Sequence, residues 1–545
     1  MKIKLSFLLL IFCLLLSSCA FSAATPQTPT GLRCPPGAID SHNIWLVWDR
    51  PAKDDTAVTF NIYVNGQRIR NIINSTDSIG IDSICKFQAA NPESGKNLLS
   101  LHNYTSHDLM PDTSYSFTIR AVSADGHESA DSAAVVLHTP PLPQRLCITD
   151  FGAVGDGKTL STSAMQQAID ACPAGGIVEI PAGNFVSGAL NLKSNMTLQL
   201  DAGAVLLSSS NPDDYTLMPN HRYNGLLNGD GLENLRIIGS GTIDGNGWQR
   251  DSGKQRYLKA NNKETNGQRS PNHVLNIGIL SKNQTQAMLD AGFGFKQAYI
   301  ARSAILELHK IHNLYIEGIT LQNPSLHVIG ASMCTQTTLN NVKIDSYDCN
   351  NGDGIDFQGQ DLIIANCWFN TGDDSVDFSA GTGEAAASRP PVSNLWIFNN
   401  YFAHGHGAIV CGSHTGSWIE KLLAEDNVIE GSDIGLRCKT SETMGGGARD
   451  SVFRHNIMKN LKRNAFIFTT AYTDVNAAGS FAPASPGQFH DFLIEDCYID
   501  GVDGPAIEVE GLAEMPHKDL TFRRVQILHA QENKLAHVEN FIFEK

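Results

Sequence analysis

The sequence predicts an all-β chain in which a small antiparallel sandwich precedes a long parallel β-helix, and three observations lead there. From Gly176 onward, apolar β-rich runs at 235–238, 314–316, 362–364, 395–398, 492–494 and 520–522 are separated by Asn, Gly and Asp at intervals too long for hairpins. Only one clear helical pattern accompanies them, so a doubly wound sheet would lack the crossovers that parallel strands need. A solenoid meets both conditions, because each coil pairs with the next at about 4.8 Å. The third observation is a ladder of polar motifs set inside such runs: Asn351-Gly352-Asp353, Gly372-Asp373-Asp374, Gly405-His406-Gly407 and Arg437-Cys438-Lys439. Asp353 to Asp373 is 20 residues, Asp374 to His406 is 32 and His406 to Lys439 is 33, steps of roughly one coil.

Taken in order, the chain opens with Lys2 and Lys4, the apolar run 5–16 and small residues, which reads as an export signal over 1–24. The run is too short to span a bilayer comfortably. Leu16-Ser17-Ser18-Cys19 resembles a bacterial lipobox, which would place a lipid on Cys19; Ser22-Ala23-Ala24 is a rival cleavage site that would free the protein. The expected location is therefore periplasmic, outer-membrane-anchored or secreted.

Residues 26–140 alternate β-rich runs with turn residues, at 44–48, 60–64 and 115–119, the spacing of a small sandwich. Leu109, Pro111, Thr113 and Tyr115 match the tyrosine corner of fibronectin type III modules, and Trp48 with Pro51 their core tryptophan region. Such a module is expected as a spacer or docking domain. Pro140-Pro141-Leu142-Pro143 reads as a stiff linker. Beyond it, in a domain set at 146–545, a helix at 162–172 with Ala164, Ala168 and Ile169 on one face behind a Thr cap is expected to plug the first coil, since a solenoid otherwise exposes its core.

At 545 residues the chain exceeds what one ordinary core supports, consistent with two domains. A formal charge of −16 argues against a nucleic-acid partner, so any anion must be held by local cations. Ten cysteines remain beyond Cys13 and Cys19, without a CxxC pair, so no metal site is expected, and no cofactor. Cys34 with Cys85 is a candidate disulfide, while Cys349, Cys367, Cys411 and Cys438 are expected to pack inside the coils as small apolar residues.

Stacked on adjacent coils, Asp353, Asp373 and Asp374 cannot all ionise freely, and repulsion should leave a protonated acid beside ionised bases. Glycosidic cleavage needs that division: an acid for the leaving oxygen and a base for water. At this point the sequence resembles the polygalacturonases of glycoside hydrolase family 28, whose sites carry Asn-x-Asp, Gly- or Gln-Asp-Asp, Gly-His-Gly and Arg-x-Lys in this order. The resemblance runs from about Asp150 to the C-terminus and includes Gly239-Ser240-Gly241-Thr242-Ile243-Asp244-Gly245. Gly352 stands where many endo-acting members have Thr.

The resemblance implies a right-handed parallel β-helix and an inverting hydrolysis of polygalacturonate or pectin oligosaccharides. Asp373 would be the general acid, Asp353 and Asp374 would activate water, and His406 would tune protonation or touch the sugar. Arg437 and Lys439 would hold the galacturonate carboxylate, with Tyr472, His327 and Asn351 as further substrate contacts. Two insertions, from Trp248 to about Ile300 with Tyr257, Lys259, Lys263, Arg269 and Lys282, and from Glu384 to Pro391, would wall off one end of the cleft. The arrangement is most similar to exo-acting bacterial members, which release digalacturonate from the non-reducing end. An endo-acting enzyme, a pectate lyase, a rhamnogalacturonan or xylogalacturonan hydrolase, and a non-catalytic pectin-binding surface protein are the alternatives. Oligomeric state is left open.

Overall fold

Each coil of the main body contributes three short strands, and the coil at 329–345 shows the plan. Its first segment, 329–332, pairs with Leu306–His309; its second, 335–340, with His312–Glu317; its third, Lys343–Asp345, with Thr320–Gln322. Repetition gives three parallel ladders, the third a 12-stranded sheet running from Asp156–Leu160 to Gln526–Leu528. The structure, a computed structural model, describes residues 25–52, 55–72, 78–94, 99–251, 256–257, 274–275, 277–347, 349–472 and 485–544. The export segment with Cys19, and Lys259, Lys263 and Arg269, lie outside the described residues, as does the side chain of Tyr257. Among the described residues, no helix is long and apolar enough to cross a membrane.

All six apolar runs read from the sequence lie in the second ladder, where Leu235 pairs with Leu314 and Leu362 with Leu395. The residue that turns the chain into this ladder is left-handed: Asn195, Asn234, Asn313, Asp361, Asn394 and Asp450 have φ of 51 to 62°, with Gln336 and Lys421 taking the same conformation on two coils. Asn and Asp tolerate that conformation better than other side chains, which is why they punctuate the runs. Inside, side chains stack in rows one coil apart. Phe369 and Phe402 lie face to face at 4.9 Å, and Asn400, Asn427 and Asn456 pass amide hydrogen bonds of 2.9 to 3.0 Å up the axis. These rows bury the polar amides without leaving them unpaired. Cys349, Cys367, Cys411 and Cys438 are fully buried free thiols.

The helix at Thr162–Ala171 closes the first coil with Met165, Ala168 and Ile169 buried; Ala164 is only partly so. Its N-cap is Ser161 rather than a threonine, and Thr162 instead accepts a hydrogen bond from the Gly188 amide at 2.8 Å.

The N-terminal module consists of two antiparallel sheets. One pairs Ile44–Val47 with Asn103–Ser106, and the other has Ala57–Val64 and Ser114–Ser123 at its centre. Leu46, Trp48, Phe60, Ile62, Leu109, Phe117 and Ile119 form its core, and the Met110 amide donates to the Tyr115 hydroxyl at 2.8 Å, the bond expected of a tyrosine corner. Two expectations change here. Cys34 and Cys85 are separate free thiols, and Cys85 sits in an unanticipated helix, Ile79–Ala90.

That helix docks the module sideways on the β-helix. Its Ile84 and Phe87 meet Val428, Ile457 and Tyr498, while Ala38, Trp45 and Val47 meet Tyr315, Ala365 and Phe398. Polar contacts fix the alignment: Asn103 donates to Asn366 and Asn399 at 3.1 Å each, and Arg50 meets the buried Asp426 at 3.0 Å, with His102 3.3 Å from the same carboxylate. The module is thus bonded along the flank of the solenoid and does not swing on its proline linker.

Candidate active site

Backbone hydrogen bonds stack the four motifs. Val328 donates to the Asp353 carbonyl at 2.9 Å, Gly354 to Asp374 at 2.9 Å, His406 to Asp373 at 3.0 Å and Asp433 to Gly405 at 2.8 Å. Each bond joins one coil to the next, so Asp353, the Asp373–Asp374 pair, His406 and Arg437 with Lys439 occupy successive coils on one face. Glycine is needed for the close approach. A Cβ at Gly372 would lie 2.2 Å from the Cys349 carbonyl, and one at Gly352 only 2.8 Å from Cys349 Cβ and its carbonyl. Threonine at 352 would therefore collide with Cys349, which accounts locally for the departure noted in the sequence.

The charges divide sharply. Arg437 Nη1 donates to Asp374 Oδ1 at 2.9 Å and Lys439 Nζ to Oδ2 at 2.7 Å. Burial pushes the Asp374 carboxyl up, but the two cations outweigh it and hold the group below the ordinary carboxylate range. Asp353 goes the other way: burial, then Asp373 and Asp356, raise it to about 7. That proton belongs to the facing carboxylates as a set. His406 Nδ1 lies 3.0 Å from Asp373 Oδ1, and that hydrogen bond raises the imidazole above its usual value. The sequence had Asp353 and Asp374 acting alike; the electrostatics separate them, leaving Asp374 ionised and Asp353 protonated up to near neutrality.

Arg437 and Lys439, expected to hold the substrate carboxylate, also meet Asp374. Tyr472 covers them, its ring centre 5.7 Å from Arg437 Cζ and 5.2 Å from Lys439 Nζ. His327 Nδ1 sits 3.1 Å from both Asp353 and Asp356, in charge contact rather than along a hydrogen-bond axis. Burial lowers its pKa, but Asp356 and Asp353 carry it to about 9, so the ring is cationic. Asn351 is left-handed at φ 55°, and its Oδ1 accepts from Arg302 at 3.1 Å.

Several residues at this site escaped the sequence reading. Asp356 and Asp377 are register partners beneath the catalytic row; burial raises both carboxyls, and Asp377 Oδ1 has no hydrogen-bond partner among the described residues. A signal existed: Asp353-Gly-Ile-Asp356-Phe357 and Asp374-Ser-Val-Asp377-Phe378 are the same pattern one coil apart. Arg302 is fully buried under Tyr299, its Cζ 4.0 Å from the ring centre, and donates to the Ser325 and Asn350 carbonyls as well as Asn351. It ties the long insertion to the Asn351 turn. That insertion carries two helices the sequence did not announce, Leu280–Asp290 and Phe295–Ile300, and is anchored by Trp248. The second insertion contains the short helix Gly383–Ala387.

A parallel β-helix whose outer face carries stacked carboxylates, one held ionised and another protonated, defines a polysaccharide-cleaving glycoside hydrolase. Residues 295–543 match the model of glycosyl hydrolases family 28, and residues 146–256 that of rhamnogalacturonase A/epimerase, pectate lyase-like. The chain is 40% identical over 522 residues to an exo-poly-alpha-D-galacturonosidase of Dickeya chrysanthemi, spanning 90% of this chain and 85% of that protein. Its structure resembles that of a family 28 exopolygalacturonase of Yersinia enterocolitica with a TM-score of 0.86 at 37% identity, covering 95% of this chain and 99% of the other. A hyperthermoactive exopolygalacturonase of Thermotoga maritima, at 22% identity and a TM-score of 0.59 over 74% of this chain and 92% of its own, shares the fold. The chain belongs to family 28 of the glycosyl hydrolases.

Proposed function

We propose that this protein is an exo-acting hydrolase of the α-1,4-galacturonosidic bonds of polygalacturonate, releasing digalacturonate or galacturonate from the non-reducing end with inversion. The carrying observation is the stacking of Asp353, Asp373 and Asp374 on one face of successive coils, with Arg437 and Lys439 bonded to Asp374. Asp374, held as an anion by Arg437 and Lys439, takes the proton of the attacking water. Asp373 has the most exposed side chain of the three, at 20% against 12% and 2%, and so is the one placed to protonate the departing oxygen. The proton that Asp353 and Asp373 share up to near neutrality is the one Asp373 delivers. The net positive charge left on Arg437 and Lys439 draws a substrate carboxylate, which reconciles an acidic protein with an acidic polymer. The relatives of Dickeya and Yersinia support exo action, as does the position of the insertion's helices Leu280–Asp290 and Phe295–Ile300, which enter between the coils on the early-coil side of Asp353.

Export and, through Cys19, anchoring belong to the same proposal, and the N-terminal sandwich is taken as fibronectin type III-like on the strength of its Tyr115 corner. Its flank contacts support a bracing role. The test is the time course of products from polygalacturonic acid. Saturated mono- or digalacturonate alone from the first time points is expected; a ladder of mixed oligomers would mean an open, endo-acting cleft, and ultraviolet-absorbing unsaturated products a lyase. The variant Asp373→Asn should lose about 10²- to 10⁴-fold in kcat while its melting curve stays native; near-native turnover would remove it as the acid.

A further inference from the structure

With Arg437 and Lys439 shared with Asp374, and the His327 ring facing Asp353 and Asp356, these cations have capacity left for about one substrate carboxylate, while polygalacturonate presents one on every sugar. A further cation stands on the other side of Asp353. The backbone row that carries the motifs continues toward the first coils: Val328 donates to Asp353, Ile305 to His327, and Leu227 to Ile305. The turn just before Leu227 rises as a narrow hairpin in which Met218 donates to the Arg222 carbonyl and Leu217 bridges Tyr223. Tyr223 fastens this hairpin to the insertion by donating to the Ala301 carbonyl at 2.7 Å, next to the buried Arg302 that holds the Asn351 turn. Arg222 therefore sits on a braced hairpin on the early-coil side of Asp353, beside the end of the insertion. It is half-buried, and its guanidinium has no hydrogen bond or ion pair among the described residues. Its charge is close enough to act on both His327 and Asp356, opposing the rise that their other surroundings impose on each.

We propose that Arg222 binds the carboxylate of the non-reducing-terminal galacturonate, setting the position of the chain end on the early-coil side of Asp353. The assignment rests on the exo reading above, which puts that terminus at the closed end. A half-buried guanidinium with unused donors matches a carboxylate in a fork geometry that water alone would otherwise fill. Arg222 makes the site select a charged sugar beyond the one at the scissile bond. It touches substrate without taking part in proton transfer.

The experiment uses the full chain and three forms of trigalacturonate: free, methyl-esterified on the non-reducing sugar, and methyl-esterified on the reducing sugar. For the native enzyme the non-reducing ester should cut kcat/KM by about 10- to 100-fold, mostly through KM. Arg222→Ala should lose a similar factor on the free trimer and show no further loss on the non-reducing ester, while Arg222→Lys recovers part of it. A structural role would depress all three substrates equally. Losses that multiply across variant and ester, or coupling to the reducing-end ester, would overturn the proposal. Binding of free trigalacturonate to Asp373→Asn and to Asp373→Asn/Arg222→Ala, followed calorimetrically, gives a second readout free of turnover, and equal affinities would also overturn it. Failure of the exo reading is seen separately, as mixed oligomers from the native enzyme.

Discussion

At the scale of single residues, function here turns on which carboxylate keeps its proton. Asp353 is protonated until about pH 7, so the alkaline limb of kcat/KM is expected near neutrality, and the acid limb below the ordinary carboxylate range because Asp374 is depressed. His327 is cationic below about 9 and pulls the Asp353 value down. Removing that charge with His327→Gln should therefore move the alkaline limb to higher pH, measured as the pH profile of kcat/KM. An unmoved limb would mean that the proton lost near pH 7 is not on Asp353. The three catalytic candidates were legible in the sequence because Gly-Asp-Asp and Gly-His-Gly are rare combinations at coil spacing. The pairing of both cations with Asp374 was not, because alternation along a strand tells which face a side chain takes but not which neighbour it meets.

The elements around the site show the same split at a larger size. Strands of the second ladder were legible because left-handed corners favour Asn or Asp and leave a visible punctuation on most coils. The helices Ile79–Ala90, Leu280–Asp290 and Phe295–Ile300 were not, since they are short, and tertiary packing stabilises them more than their own sequence does. The insertion hangs on Trp248, which is 1% exposed and has Arg302 Cζ 5.6 Å from its ring centre. Trp248→Ala should cost about 3 to 5 kcal/mol of stability in that region and loosen the wall. Its expected signature is a product mixture shifted from one oligomer length toward several. An unchanged single product from a destabilised variant would show that the wall does not set product length.

Over the whole molecule, two buried histidines tune stability to pH. Burial holds His455 and His517 neutral and lowers each to about 4, against 6.5 when exposed. A histidine depressed on folding binds more protons unfolded, so its stabilising effect is complete above 6.5 and fades as pH falls toward 4. Each contributes on the order of 3 kcal/mol across that window. The melting temperature should fall between pH 6.5 and 4, and His517→Phe should flatten the fall; an identical slope in that variant would remove His517 from the account. The acid-stable partner is Asp426, depressed because Arg50 and His102 outweigh its burial, and it holds the module on the coil flank through the same range.

Sequence alone determined the solenoid, its period, the face that carries the acids and the presence of a separate sandwich, because these depend on local signals: alternation, left-handed corners and motif spacing. Only the tertiary structure decided that Asp353 and Asp374 differ in charge, that Arg437 and Lys439 serve Asp374, that Asp356 and Asp377 lie beneath them, and that the sandwich is fixed to the coils. A proton's position depends on burial and on every charge within a few ångströms, and those neighbours come from coils far apart in the chain. Arg222, which no motif marked, comes within reach of His327 and Asp356 for the same reason.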